Sequence, residues 1–402
     1  MLVPRGFNYI FENVYSGLFS LISKIKSIYE AWGYEALIPP EVDFKSTFSL
    51  EEEKLFRFLD KFSGKTLTLR PDFTPQIKKY VLFLKENLYP LRYYYFGNIY
   101  KDEKSKRQNF VTGIEILGEL GLEADGEVLS ILHLILNITS KPFQVDIGHT
   151  LFLEGLFEEL KKLLNPSQII HLQNILKKKD FSLLEKFFEE SNLDSKKKEV
   201  LNFILNAYGG KEVLKEARKF VLNKKMEKAI SDLEKVYRVL EIYEIKDNLV
   251  FDLSEIRGLN YHKGIVFEVF INSYPFPVAK GGRYLVKETE KVWGVGFTLD
   301  LEAILQFVSL PEEKIKVYLI DNTEDKKLAL KLATLLRKKG FIVARDIIKR
   351  DNKISLEIAK KKNLDFAVVL KENGFDIIVL NEKKNSENKL KEIEKVLTKI
   401  LS

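Results

Sequence analysis

The sequence predicts an α+β protein: an antiparallel-sheet core, interrupted by a helical insertion and followed by a small C-terminal α/β domain. Three observations carry this. Segments rich in β-branched and aromatic residues recur at 66–69, 91–118, 143–148, 248–253 and 265–270. Between about 151 and 246 they give way to Leu, Phe, Lys and Glu at helical spacing. Beyond Pro311, strand and helix patterns alternate. The expected units are a core from 1–150 and 247–310, an insertion at 151–246, and a C-terminal domain at 315–402.

Taken in order, Val14, Leu18, Leu21, Ile22, Ile25 and Tyr29 predict one long helix over 10–32, ended at Trp32-Gly33. Pro39 and Pro40 exclude helix and suit a strand edge. Residues 51–60 read as a charged connector. A strand at 66–69 ends at Arg70-Pro71, and Thr74-Pro75 opens a helix. Asp72 and Thr74 then sit at a helix N-terminus, where both capping and ligand binding suit them. Leu91–Glu103 and Phe110–Gly118 predict an antiparallel pair around a short basic loop. Glu115 lies between Ile114 and Ile116, so it faces the other way and either lines a site or meets water. A helix is expected at 125–138 and another at 298–309. The last domain should run strand 317–320, helix 324–339, strand 341–345, helix 354–362, strands 365–370 and 375–380, helix 387–401.

Composition narrows the function. The chain of 402 residues has no Cys, which excludes disulfides and thiolate metal sites. Four His, at 133, 149, 171 and 262, show no ligand-like spacing, so no metal or other cofactor is expected. The net charge of +7 comes from 65 basic and 58 acidic residues in mixed runs, the pattern of solvated helix faces rather than of a specific nucleic-acid footprint. The first residues do not read as a signal peptide and no apolar run is long enough for a membrane span, so a cytoplasmic location is expected.

The stretch Phe251–Glu268 organises the rest. It reads as an apolar strand, a turn holding Arg257, Gly258, Tyr261 and His262, and a second apolar strand. A cation, a phenol and an imidazole on a rigid turn suit a small zwitterion with a ring. A plain hairpin with exposed side chains fits the same pattern.

These segments, in this order, resemble the histidyl-tRNA synthetase fold of the class II synthetases. Gly33–Pro40 resembles the dimer-forming motif 1, Leu69–Thr74 the amino-acid-binding loop, and Tyr100–Glu103 motif 2. Arg257–Gly264 resembles the histidine signature, and Gly281–Tyr284 with Gly294–Phe297 the approach to motif 3. The C-terminal domain is loosely similar to an anticodon-binding domain. The resemblance implies a histidine site built from Asp72, Thr74, Lys101, Glu115, Arg257, Tyr261 and His262.

The departures set the expected function. Where the synthetases hold ATP with two arginines, this chain has Lys101 and Ala303. Lysine lacks the planar two-point grip on phosphate, and alanine has no grip. Val111 stands where a glutamine is expected, and the motif 2 loop, 104–109, is short. An amino-acid pocket without a nucleotide clamp resembles the regulatory subunit of ATP phosphoribosyltransferase, a non-catalytic synthetase paralogue of histidine biosynthesis. That resemblance implies L-histidine as effector, a short catalytic subunit as partner, and a homodimer within a hetero-oligomer. An active histidyl-tRNA synthetase and a tRNA-binding pseudo-synthetase are the alternatives.

Overall fold

The structure is a computed structural model. It describes residues 3–84, 88–104, 106–118, 120–245, 247–254, 262–287, 289, 291–309, 314–348, 350–372, 374–381 and 386–401. The chain divides into two compact units, Met1–Leu310 and Pro311–Ser402.

The first unit is built on a nine-stranded sheet. Its strand order is Glu35–Ala36, Leu91–Tyr100, Gln108–Gly118, Val292–Asp300, Ala279–Lys287, His262–Ile271, Phe143–His149, Leu249–Asp252, Tyr208–Gly209. The central strands pair antiparallel. Two pairs are parallel, 35–36 with 91–100 and 143–149 with 249–252. One face carries the main core. Ile114, Ile116, Val145, Ile147, Ile265, Phe267 and Val295 point there and meet the helices Glu12–Ala31, Glu123–Leu136, Thr150–Leu160 and Lys224–Ile242. The period-2 alternation of these strands sends Tyr95, Val111, Leu117 and Tyr284 to the opposite face, where they pack with Phe73, Ile77 and Val81 in a second, smaller apolar cluster beside Glu115.

Leu18, Leu21, Ile25 and Tyr29 form the buried stripe of the helix Glu12–Ala31, which Gly33 follows at φ +77, a left-handed exit that favours glycine. Two of the joints between the insertion's helices are helix caps. Asn165 makes a capping box with Gln168 ahead of Pro166, and Asp194 accepts from the backbone of Lys197. These helices share the core of the sheet.

One alternative reading and two expectations need correction. The 249–252 and 262–271 strands do not form a hairpin, because 143–149 lies between them and pairs with both. A local pattern of strand, glycine and strand fits either arrangement, and only long-range pairing separates them. The charged connector contains a strand, Arg57–Leu59, which joins Val42–Phe44 and Thr66–Leu69 in a small sheet. The helix expected at 298–309 is short, Leu301–Leu305, because the strand before it runs on to Asp300 in register with Val111.

The second unit is a four-stranded sheet ordered Ile342–Arg345, Lys316–Asp321, Phe366–Lys371, Gly374–Val379, with only the last strand antiparallel. Val317, Leu319, Val368 and Phe366 pack with the helices Lys327–Lys338 and Ser386–Leu401. Tyr318, Ile320 and Val369 pack with Ala359 of the helix Asn352–Lys361 on the other face. Among the described residues, no helix is long and apolar enough to cross a membrane.

Candidate functional site

The face of the large sheet opposite the main core holds a cleft of about 320 Å³. Its walls are the loop after Arg70, the end of the 91–100 strand, and the four central strands. Asp72, Thr74, Lys101, Glu115 and His262 all line it. Arg257 and Tyr261, the other two expected site residues, lie outside the described residues.

Glu115 forms the bottom. It is 1% exposed, so it lines the cleft and does not face water. In register beside it across the sheet come Gly296 and then Gly282. A Cβ on Gly296 would lie 2.3 Å from the Glu115 carboxyl, so glycine there is what lets the acid lie flat on the sheet. The Thr74 hydroxyl donates to Oε1 at 2.5 Å and the Tyr284 hydroxyl donates to Oε2 at 2.9 Å. Thr74 is therefore committed to the cleft, not to capping. Phe73 is the cap position and has no side-chain cap bond. Asp72 accepts from the Thr74 backbone at 3.3 Å while its carboxyl borders the cleft.

Burial pushes the Glu115 carboxyl up to about 8, against the two hydrogen bonds that favour its ionised form. Burial also raises Asp72, with Lys101 pulling the other way. It lowers the His262 imidazole, which therefore favours its neutral form. The Glu115 shift has a consequence for stability. The folded chain keeps a proton that the unfolded chain releases near 4.5, so stability falls as pH rises from 4.5 to about 8. Glu115→Gln should flatten that decline. Urea midpoints at about pH 5 and about pH 9 for both proteins check this, and an unchanged decline in the variant would assign it to other groups.

The cleft's other end is acidic and self-paired. Asp300 accepts from Asn109 at 2.8 Å and from Lys106 at 3.0 Å, and its second oxygen caps the helix Leu301–Leu305 through the Ala303 backbone. Glu302 also pairs with Lys106, at 3.1 Å. Ala303 itself is buried in the core. Among the described residues no arginine lines the cleft. Arg283, between two cleft-lining residues, turns away to Asp125 and to the carbonyls of Leu120 and Gly121.

The sequence reading missed Tyr284, Lys280, Thr298 and Asp300 as cleft residues. Their signal was period-2 phase with Gly282 and Gly296, which becomes readable only once the register with Glu115 is known. Nothing local marks Tyr284 as the partner of a glutamate 169 positions away.

Known proteins share this architecture. A family model described as histidyl-tRNA synthetase matches residues 17–304. The ATP phosphoribosyltransferase regulatory subunit of Geobacter sulfurreducens is 31% identical, over 85% of this chain and 82% of the relative. That of Thermoanaerobacter pseudethanolicus is 30% identical, over 94% and 98%. A crystal structure from Bacillus halodurans, described as an ATP phosphoribosyltransferase regulatory subunit/histidyl-tRNA synthetase, superposes with a TM-score of 0.81 at 25% identity, covering 91% of this chain and 97% of that one. Histidyl-tRNA synthetase from Nostoc sp. PCC 7120 shares the fold, with a TM-score of 0.75 at 20% identity and 98% of each chain covered. The chain belongs to the ATP phosphoribosyltransferase regulatory subunits, a family with the histidyl-tRNA synthetase fold.

Proposed function

We propose that the chain is a non-catalytic regulatory subunit that binds free L-histidine in the cleft and confers feedback control on a short catalytic subunit of ATP phosphoribosyltransferase, in the cytoplasm. The observation that carries this is the buried Glu115 carboxyl at the cleft bottom, held by Thr74 and Tyr284. Its elevated proton affinity lets it share one proton with an imidazole ring, as neutral acid with neutral ring or as carboxylate with imidazolium. Asp72 and Thr74 would receive the ammonium group, with Lys101 bordering it. Arg257 would pair with the carboxylate by two parallel bonds, and Tyr261 and His262 would flank the ring. The Asp300 end supports a site without a nucleotide clamp, since Lys106 is already held there by Asp300 and Glu302. The short catalytic subunit, the homodimer and the wider hetero-oligomer come from the family reading. Reconstitution with such a catalytic subunit tests the proposal. Histidine should inhibit the pair, and Glu115→Ala should relieve the inhibition.

A further inference from the structure

Among the described residues, the largest fully buried side chain is a charged one, Arg70, which is 1% exposed. Its charge meets carbonyls. Nε donates to Asn98 O at 2.9 Å and Nη1 donates to Pro39 O at 2.7 Å. The guanidinium lies 3.8 Å from the centre of the Phe73 ring. Its nearest carboxylate, Glu41, is 3.8 Å away and half exposed. A buried cation met this way is a poor source of stability, because desolvation opposes most of the gain. What it supplies is geometry. The backbone adds two more links: Arg70 N donates to Glu41 O at 2.7 Å, and Tyr100 N donates to Arg70 O at 2.8 Å. A Cβ on Gly97 would approach Nη2 to 2.9 Å, so the strand is bare there to admit the guanidinium.

Arg70 therefore ties three pieces together. On one side are two walls of the cleft, the Asp72–Thr74 loop that follows it and Lys101 beside Tyr100. On the other is the segment 38–44, where Ile38 is 62% exposed and Val42 and Phe44 are each 38% exposed. Gln76, one turn into the helix that Thr74 opens, strengthens the link by donating to Pro40 O at 3.0 Å and to Asp43 Oδ2 at 3.2 Å. We infer that Arg70 is a positioning residue that sets the amino-acid loop against the Pro39–Phe44 segment and carries the occupancy of the cleft to that segment's exposed edge. The inference rests on the cleft taking a free amino acid, and it names the residue through which that binding is reported outward.

The test is hydrogen–deuterium exchange of the full chain with and without L-histidine, with calorimetry on the same samples. In the wild type, histidine should release or absorb heat and should protect both 69–76 and 38–46. Arg70→Lys keeps the charge and loses the fork. It should weaken histidine roughly tenfold, the usual scale for a residue that orients a binding group. It should keep the protection at 69–76 and lose that at 38–46, a pattern that general destabilisation would not give. If Arg70→Lys does not fold, the wild-type comparison decides alone. Heat with no change at 38–46 would overturn the coupling and leave histidine binding standing. Unchanged affinity and protection in Arg70→Lys would do the same. Absence of both heat and protection in the wild type would remove the histidine reading and this inference with it.

Discussion

Histidine-dependent pyrophosphate exchange into ATP should stay at background with this chain, two to three decades or more below an active synthetase. The cause is electrostatic. Adenylation places negative charge on phosphate oxygens, and loss of one preorganised donor aimed at such charge lowers a rate roughly 10²–10³-fold. Here Lys101 borders the cleft near Asp72, and its ammonium is a point charge without the two-point grip of a guanidinium. The other clamp position, Ala303, is buried and offers only its backbone, which Asp300 already occupies. Asp300 itself adds a carboxylate to the cleft. Exchange at a rate typical of synthetases would show that the nucleotide is held by groups outside this account.

Asp125→Ala should destabilise the first unit by roughly 3–5 kcal/mol, the range for removing one partner of a buried ion pair. Asp125 is fully buried, and Arg283 reaches it through Nε at 3.2 Å and through a second, shorter bond from Nη2. Removing the carboxylate leaves a buried guanidinium with only the carbonyls of Leu120 and Gly121 and the Trp293 ring, none of them an anion. Because Arg283 sits between Gly282 and Tyr284, the loss should also loosen the strand that carries the Tyr284 hydroxyl to Glu115. Urea denaturation measures the effect. Replacing both partners, as Asp125→Leu with Arg283→Met, should recover much of it, since no charge is then left buried. A single-variant loss below about 1 kcal/mol would place water at the pair.

The parts of the fold visible in sequence are those fixed by local periodicity. The stripe Leu18, Leu21, Ile25 and Tyr29 specifies the first helix almost to its ends, and Asn165-Pro166 and Asp194 mark insertion helices that start where they stand. The flanking Ile114 and Ile116 set which way Glu115 points. What local pattern leaves open is pairing. The insertion of 143–149 between 249–252 and 262–271 is a contact between segments about 100 residues apart, and the same residues would satisfy a hairpin. Asp300 shows the same gap at the site. In sequence it falls inside the helix expected at 298–309; it is the cap of the shorter helix Leu301–Leu305, and its second role as the acidic end of the cleft depends on Asn109 and Lys106 arriving from another strand pair. Arg70 is similar: a strand-ending arginine before proline gives no sign that its guanidinium will be wholly buried.

The most direct measurement is the turnover of a short catalytic phosphoribosyltransferase subunit assembled with this chain, recorded against L-histidine concentration. The account predicts that the assembled pair is active, that histidine suppresses it with a coupling of about 1–3 kcal/mol, and that Glu115→Ala in this chain moves the suppression to much higher histidine. Turnover that ignores histidine across the range where the wild-type chain binds it would contradict the account.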